Sequence, residues 1–91
     1  MAKIFNVVIT NVIEGMTEAV LSRTDFQHAV TAMNDYFEAE IASLREGPDG
    51  EGGWDDEELG IQSEINNDGF HIWCDDLDYE LRGEILMSEL L

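Results

Sequence analysis

The sequence predicts an α+β fold: a four-stranded antiparallel sheet with two helices on one face, in the order ββαββα. Three observations carry that expectation. Residues 3–13 (KIFNVVITNVI) and 16–22 (MTEAVLS) are rich in β-forming types. Apolar residues recur at helical spacing across about 25–45 and again across about 76–90. Asn67-Asp68-Gly69 separates two short alternating runs, GIQSEIN and FHIWCD, and Asp-Gly is a strong hairpin signal.

The elements follow in order. Glu14-Gly15 suits a tight turn between the first two strands. Thr24 is placed as an N-cap, with Gln27 completing a capping box. Phe26, Val30, Met33, Phe37, Ile41 and Leu44 then form the apolar stripe of the first helix, widened by Ala29 and Tyr36, with Glu38 and Glu40 towards solvent or its edge. Gly47 and Pro48 end it. A two-residue turn at Asp68-Gly69 sets Ile65 opposite Ile72 and Ser63 opposite Cys74. Ile61, Ile65, Phe70, Ile72 and Cys74 then share the core face, and Gln62, Glu64, His71 and Trp73 the other. Asp75 or Asp76 caps the last helix, whose apolar side is Leu77, Leu81 and Ile85, extended by Leu86 and Leu90 and weakened by Gly83. The face of the sheet away from the helices holds Ile4, Val8, Leu21 and Trp73. That is apolar enough to mark an interface, homodimerisation included.

Charge is the dominant chemical feature. The 91 residues carry 21 acids against 4 bases, a formal charge of −17. Self-repulsion of that size destabilises a compact state. Hydrophobic residues make up 44% of the chain, so it still folds, as a single domain spanning 1–91. Residues 1–45 hold six acids and three bases, a net of −3. Residues 46–91 hold fifteen acids and one base, a net of −14. The stretch 46–58 (EGPDGEGGWDDEE) reads as an acidic, Gly-rich loop. Such a chain repels nucleic acid and anionic lipid, and it has no apolar run near the length of a membrane span. The N-terminus lacks the charge-then-apolar pattern of a signal peptide, and the lone Cys74 excludes an internal disulfide, so a cytoplasmic setting is expected.

Catalytic and metal motifs are weak throughout. Cys74 is expected in the core, where a thiol is inert. No Ser, His and Asp set or phosphate-binding glycine loop has the right context, so the chain is not read as an enzyme and no cofactor is expected. The EF-hand pattern fails, because from Asp49 the sixth residue is Trp54 and the twelfth is Gly60. His28 and His71 lie in different elements without companion ligands, so neither is a metal ligand.

The candidate contacts are therefore acidic and aromatic. In the loop they are Asp49, Glu51, Trp54, Asp55, Asp56, Glu57 and Glu58, with Trp54 as an anchor for a basic partner. In the hairpin they are Glu64 and Trp73. In the last helix they are Asp76, Glu80 and Glu84, where acids about 5–6 Å apart would imitate neighbouring phosphates. With its size, its charge, its lack of Cys pairs and its GGWDDEE segment, the chain resembles the small acidic anti-defence proteins of phages, the anti-restriction DNA mimics and acidic anti-CRISPR proteins. The resemblance implies a stoichiometric inhibitor. It would occupy the basic nucleic-acid-binding surface of a restriction enzyme or CRISPR ribonucleoprotein in the host bacterial cytoplasm. Two other classes fit the composition: an immunity protein against a cognate nuclease toxin, and an acidic adaptor working through an apolar sheet face.

Overall fold

The computed structural model describes residues 2–46, 52, 56–74 and 78–90. Strands β1 (Ala2–Asn11) and β2 (Met16–Arg23) form the first hairpin. Helix α1 (Phe26–Arg45) follows, then a single turn of helix, α2 (Asp56–Leu59). Strands β3 (Gln62–Ile65), β4 (Gly69–Cys74) and β5 (Tyr79–Leu90) complete the chain. All five strands join one antiparallel sheet in the order β2-β1-β5-β4-β3.

The α+β class holds, but the architecture differs from the sequence expectation in one decisive place. The segment expected as a second long helix is β5, the central strand. It pairs with β1 from Ala2↔Leu90 to Asn11↔Leu81, and with β4 from Gly69↔Glu84 to Cys74↔Tyr79. The misreading has a simple origin. Leu81 and Ile85 are four apart, and four residues bring side chains to one face of a helix and to one face of a strand alike. Period two runs equally well through Tyr79, Leu81, Gly83, Ile85 and Met87. Pairing on both sides then decides in favour of the strand. The expected cap at Asp75 or Asp76 and the expected helical Leu77 lie outside the described residues.

The core lies between α1 and one face of the sheet. Val7, Ile9, Ala29, Met33, Ile72, Cys74 and Leu81 are sealed there, with Ile41, Ile61, Phe70 and Leu59 almost so. The helix stripe was legible, with Ala29, Val30, Met33 and Ile41 buried. Its cap is Asp25, not Thr24: the Asp25 carboxylate accepts from the His28 amide at 3.2 Å. Asp and Thr both cap well, and the choice falls to the residue with extended backbone, Asp25 at φ −123 and ψ 134.

Two further corrections concern register. In the β3–β4 hairpin Ile65 faces Phe70 and Ser63 faces Ile72. The turn is four residues, not two. The Asn66 side-chain oxygen accepts from the Asp68 and Gly69 amides, and the Asn66 amide donates to the Gly69 carbonyl. A slip of two residues keeps every side chain on its expected face, but it carries Ile65 to the rim, where it is 39% exposed. In the first hairpin Leu21 pairs with Val7 and lies on the helix side, so the open face presents Val20 in its place.

Gly83 sits where any side chain would displace the Phe70 ring. It faces Phe70 across the ladder, and a Cβ there would meet the Phe70 ring at 2.3–2.9 Å. Phe70 in turn stacks edge-on against Phe37 of α1 at 5.5 Å. The same glycine that weakens a helix makes room here for an aromatic ring between sheet and helix.

A second tie between layers is polar. Tyr79 Oη donates to Glu40 Oε2 at 2.7 Å, joining β5 to α1. Burial and the adjoining Glu40 raise the Tyr79 pKa. Burial, then the charges of Glu18 and Glu40, push Tyr36 up to about 12.

Gly83→Ala is expected to destabilise the fold by about 1–3 kcal/mol through overpacking, read as a lower midpoint in urea unfolding. For the tyrosines, the unfolded chain releases protons near pH 10 while the folded chain holds them. Their contribution is therefore full below about pH 10 and falls as pH rises beyond it. Thermal unfolding across pH 8–12 should show that decline, and Tyr79→Phe should flatten it while costing about 1 kcal/mol at neutral pH.

Candidate functional site

Two groups of acids in the C-terminal half bear on a candidate site. The first belongs to the segment expected as a loop. Its described end is helical and anchored. Asp56 takes a forked contact from Arg45, with Nε to Oδ1 at 2.7 Å and Nη2 to Oδ2 at 3.0 Å. That hydrogen-bonded guanidinium lowers the Asp56 pKa. Leu59, 6% exposed, plugs the core, and its carbonyl accepts from the Cys74 thiol at 3.0 Å. The Ile61 amide bonds back to the Asp56 carbonyl, and Gly60 closes the turn at φ +71. Asp56 is thus a tether. Glu57 and Glu58 lie on the exposed side of the same turn. Asp49, Glu51, Trp54, Asp55 and Asp76 lie outside the described residues.

The second group occupies the face of the sheet opposite α1. Alternation along β3, β4 and β5 puts Glu64, His71, Trp73, Glu80, Arg82 and Glu84 there. Glu64, His71 and Arg82 make one cross-strand row, and Gln62, Trp73 and Glu80 make the next. His71 stacks on Trp73 with ring centroids 4.4 Å apart and an interplanar angle of 25°. Its Nε2 lies 2.7 Å from Glu80 Oε2, and the same oxygen lies 3.7 Å from Arg82 Nε. The His71–Trp73 pair is half-buried and held in place, while Arg82 extends into solvent.

Glu64 and Glu84 are exposed, and among the described residues neither has a hydrogen-bond or ion-pair partner. Beside Glu64, where Gly69 has no side chain, a notch of about 360 Å³ is lined by Glu64, Asn66, Asp68, His71 and Phe70. A neighbouring hollow of about 330 Å³ is lined by Val8, Thr10, Arg82 and Glu84. This surface offers acceptors and an aromatic edge, which suits a guanidinium or ammonium group.

Four of the predicted contacts, Glu64, Trp73, Glu80 and Glu84, are therefore brought to one surface. The reason given for Glu80 and Glu84 is overturned. They are not a helical pair but strand residues four apart, roughly 13 Å along β5, with Arg82 between them. Arg82 and the anchoring of His71 were missed. Period two across 79–88 is the signal that would have found them. Cys74 is 0% exposed, in the core as expected. Among the described residues no group of three or more His, Cys, Asp or Glu is placed to hold a metal. No helix there is long and apolar enough to cross a membrane. Comparison with protein-family models, curated proteins and solved structures finds no match to the chain.

Asp56→Asn is expected to loosen α2, seen as faster hydrogen exchange at the Gly60 and Ile61 amides. A carboxylate with a lowered pKa stabilises above its unfolded value, near 4, and that contribution is lost as pH falls through it. The Asn variant should accordingly show a shallower loss of stability on acidification.

Proposed function

We propose that the chain is a stoichiometric inhibitor that binds the basic, nucleic-acid-binding surface of a bacterial defence effector, a restriction enzyme or a CRISPR ribonucleoprotein. The observation that carries this reading is a charge of −17 with a sheet face on which, among the described residues, Glu64 and Glu84 have no counter-ion. Long-range attraction brings the partner in, and carboxylates then stand where phosphates would. The Trp73–His71 stack supplies a rigid aromatic contact for an arginine of the partner, held in place before binding by Glu80. The setting is the bacterial cytoplasm where such effectors act, and the single buried thiol suits a reducing compartment.

The test is competition. The purified chain is titrated into restriction and CRISPR effectors bound to labelled DNA or guide RNA, at low and at high salt. Displacement of the nucleic acid, weakening steeply with salt, is the expected result. The double variant Glu64→Lys, Glu84→Lys should weaken it by about tenfold or more while the fold survives. Binding that ignores salt and nucleic acid would overturn mimicry and favour an adaptor working through apolar contacts.

A further inference from the structure

The sheet has two outer edges, and they are built differently. The β3 edge is four residues long and carries Glu64, a short and charged edge of the kind that resists strand addition. The β2 edge is eight residues long, and among the described residues no strand pairs with its outer side. Its one acid, Glu18, sits where the register shifts between Ile9↔Ala19 and Thr10↔Thr17. The Glu18 charge lies near enough to Tyr36 of α1 to help raise that phenol's pKa, so this acid neighbours the helix as well as the edge. Arg23, at the other end, donates to the Ser22 carbonyl at 2.8 Å. Between them Ala19, Val20, Leu21 and Ser22 form a regular, uncharged stretch.

Charge is also unevenly spread across the sheet. Residues 2–23, which make β1 and β2, hold two acids and two bases and are net neutral. Residues 62–90, which make β3, β4 and β5, hold eight acids and one base. Among the described residues, four of the seven exposed large apolar side chains lie on the neutral side, Val12, Ile13, Met16 at 58% and Val20 at 53%, the others being Ile65 on β3 and Leu86 and Met87 on β5. Leu86, 48% exposed, continues that surface on the open face beside Asn6.

We infer that β2 pairs antiparallel with β2 of a second copy, joining two five-stranded sheets edge to edge across a two-fold axis. A two-fold makes like edges antiparallel and self-complementary, as an unpaired antiparallel edge requires. Of the occupants an edge strand can accept, a second copy suits this one because the edge is neutral. A basic segment is drawn to the acidic side instead. The pairing also keeps like charge apart. From β5 of one copy to β5 of the other is five strand spacings, roughly 24 Å, against a screening length of about 8 Å at physiological salt. The acidic faces of both copies stay open at the two ends of the joined sheet. This inference rests on the edge, not on the inhibitor reading, and holds or fails without it.

The experiment is sedimentation velocity on the full chain over a wide concentration range, paired with hydrogen exchange of the β2 amides at the lowest and highest concentrations. The expected result is a species of twice the 10.3 kDa chain mass, favoured by added salt, with β2 amides gaining protection as it forms. Val20→Lys, which sets two like charges near the two-fold, should weaken association by about tenfold. Glu64→Lys, on the far edge, should leave association intact. A monomer at every concentration and salt would overturn the inference. So would a dimer whose β2 amides stay unprotected, a result that places the contact elsewhere and stands even if Val20→Lys fails to fold.

Discussion

The structure depends on the insertion of β5 between β1 and β4. A two-stranded hairpin is marginal in water. Without β5 the chain would own two of them, β1–β2 and β3–β4, with no shared ladder. The twelve residues of β5 join them into one sheet wide enough to receive α1. The strand also carries the contacts that lock sheet to helix. Leu81 lies in the core, Gly83 gives the Phe70 ring its space, and Tyr79 reaches Glu40. Side chains on its other face, Glu80, Arg82 and Glu84, build the open surface. One strand thus decides both the core and the candidate site.

The charge distribution follows from that insertion. Sequence order puts the neutral hairpin first and most of the acids last. The sheet converts this linear gradient into a lateral one, from the neutral β2 edge to the acidic β3 edge. Asp56 is spent on Arg45, Glu80 on His71, and Glu40 on Tyr79. Among the described residues Glu64 and Glu84 have no partner on the face opposite α1, so their field is directed outward. The same partition leaves β1 and β2 net neutral, so the charge penalty on an approach through that edge is lowest there.

Much of this was legible residue by residue. The β-forming residues of 3–13 identified a strand, and the spacing of Met33 and Ile41 and of Ile72 and Cys74 identified a helix and a second strand with the faces they bury. The sharing of one face by Glu64 and Trp73 followed from alternation alone, and it survived an error of two residues in the hairpin register because two is the period of a strand. The anchoring of His71 by Glu80 was not legible, because it joins residues on two strands whose pairing depends on the identity of β5.

By itself, then, the sequence determined composition-level and local properties: the charge of −17, its concentration in the second half, the α+β class, and the burial of Cys74. These depend on residue type and on spacing within one segment. Tertiary structure decided the rest. Leu81 and Ile85 fit a helix and a strand equally well, and only hydrogen-bonded neighbours on both sides resolved them. The turn at Asn66 to Gly69 was set by an Asn side chain competing with the two-residue alternative. Which carboxylates are spent and which stay free was set by what the fold brings beside them, because an ion pair forms by proximity in space and the sequence alone does not specify that proximity.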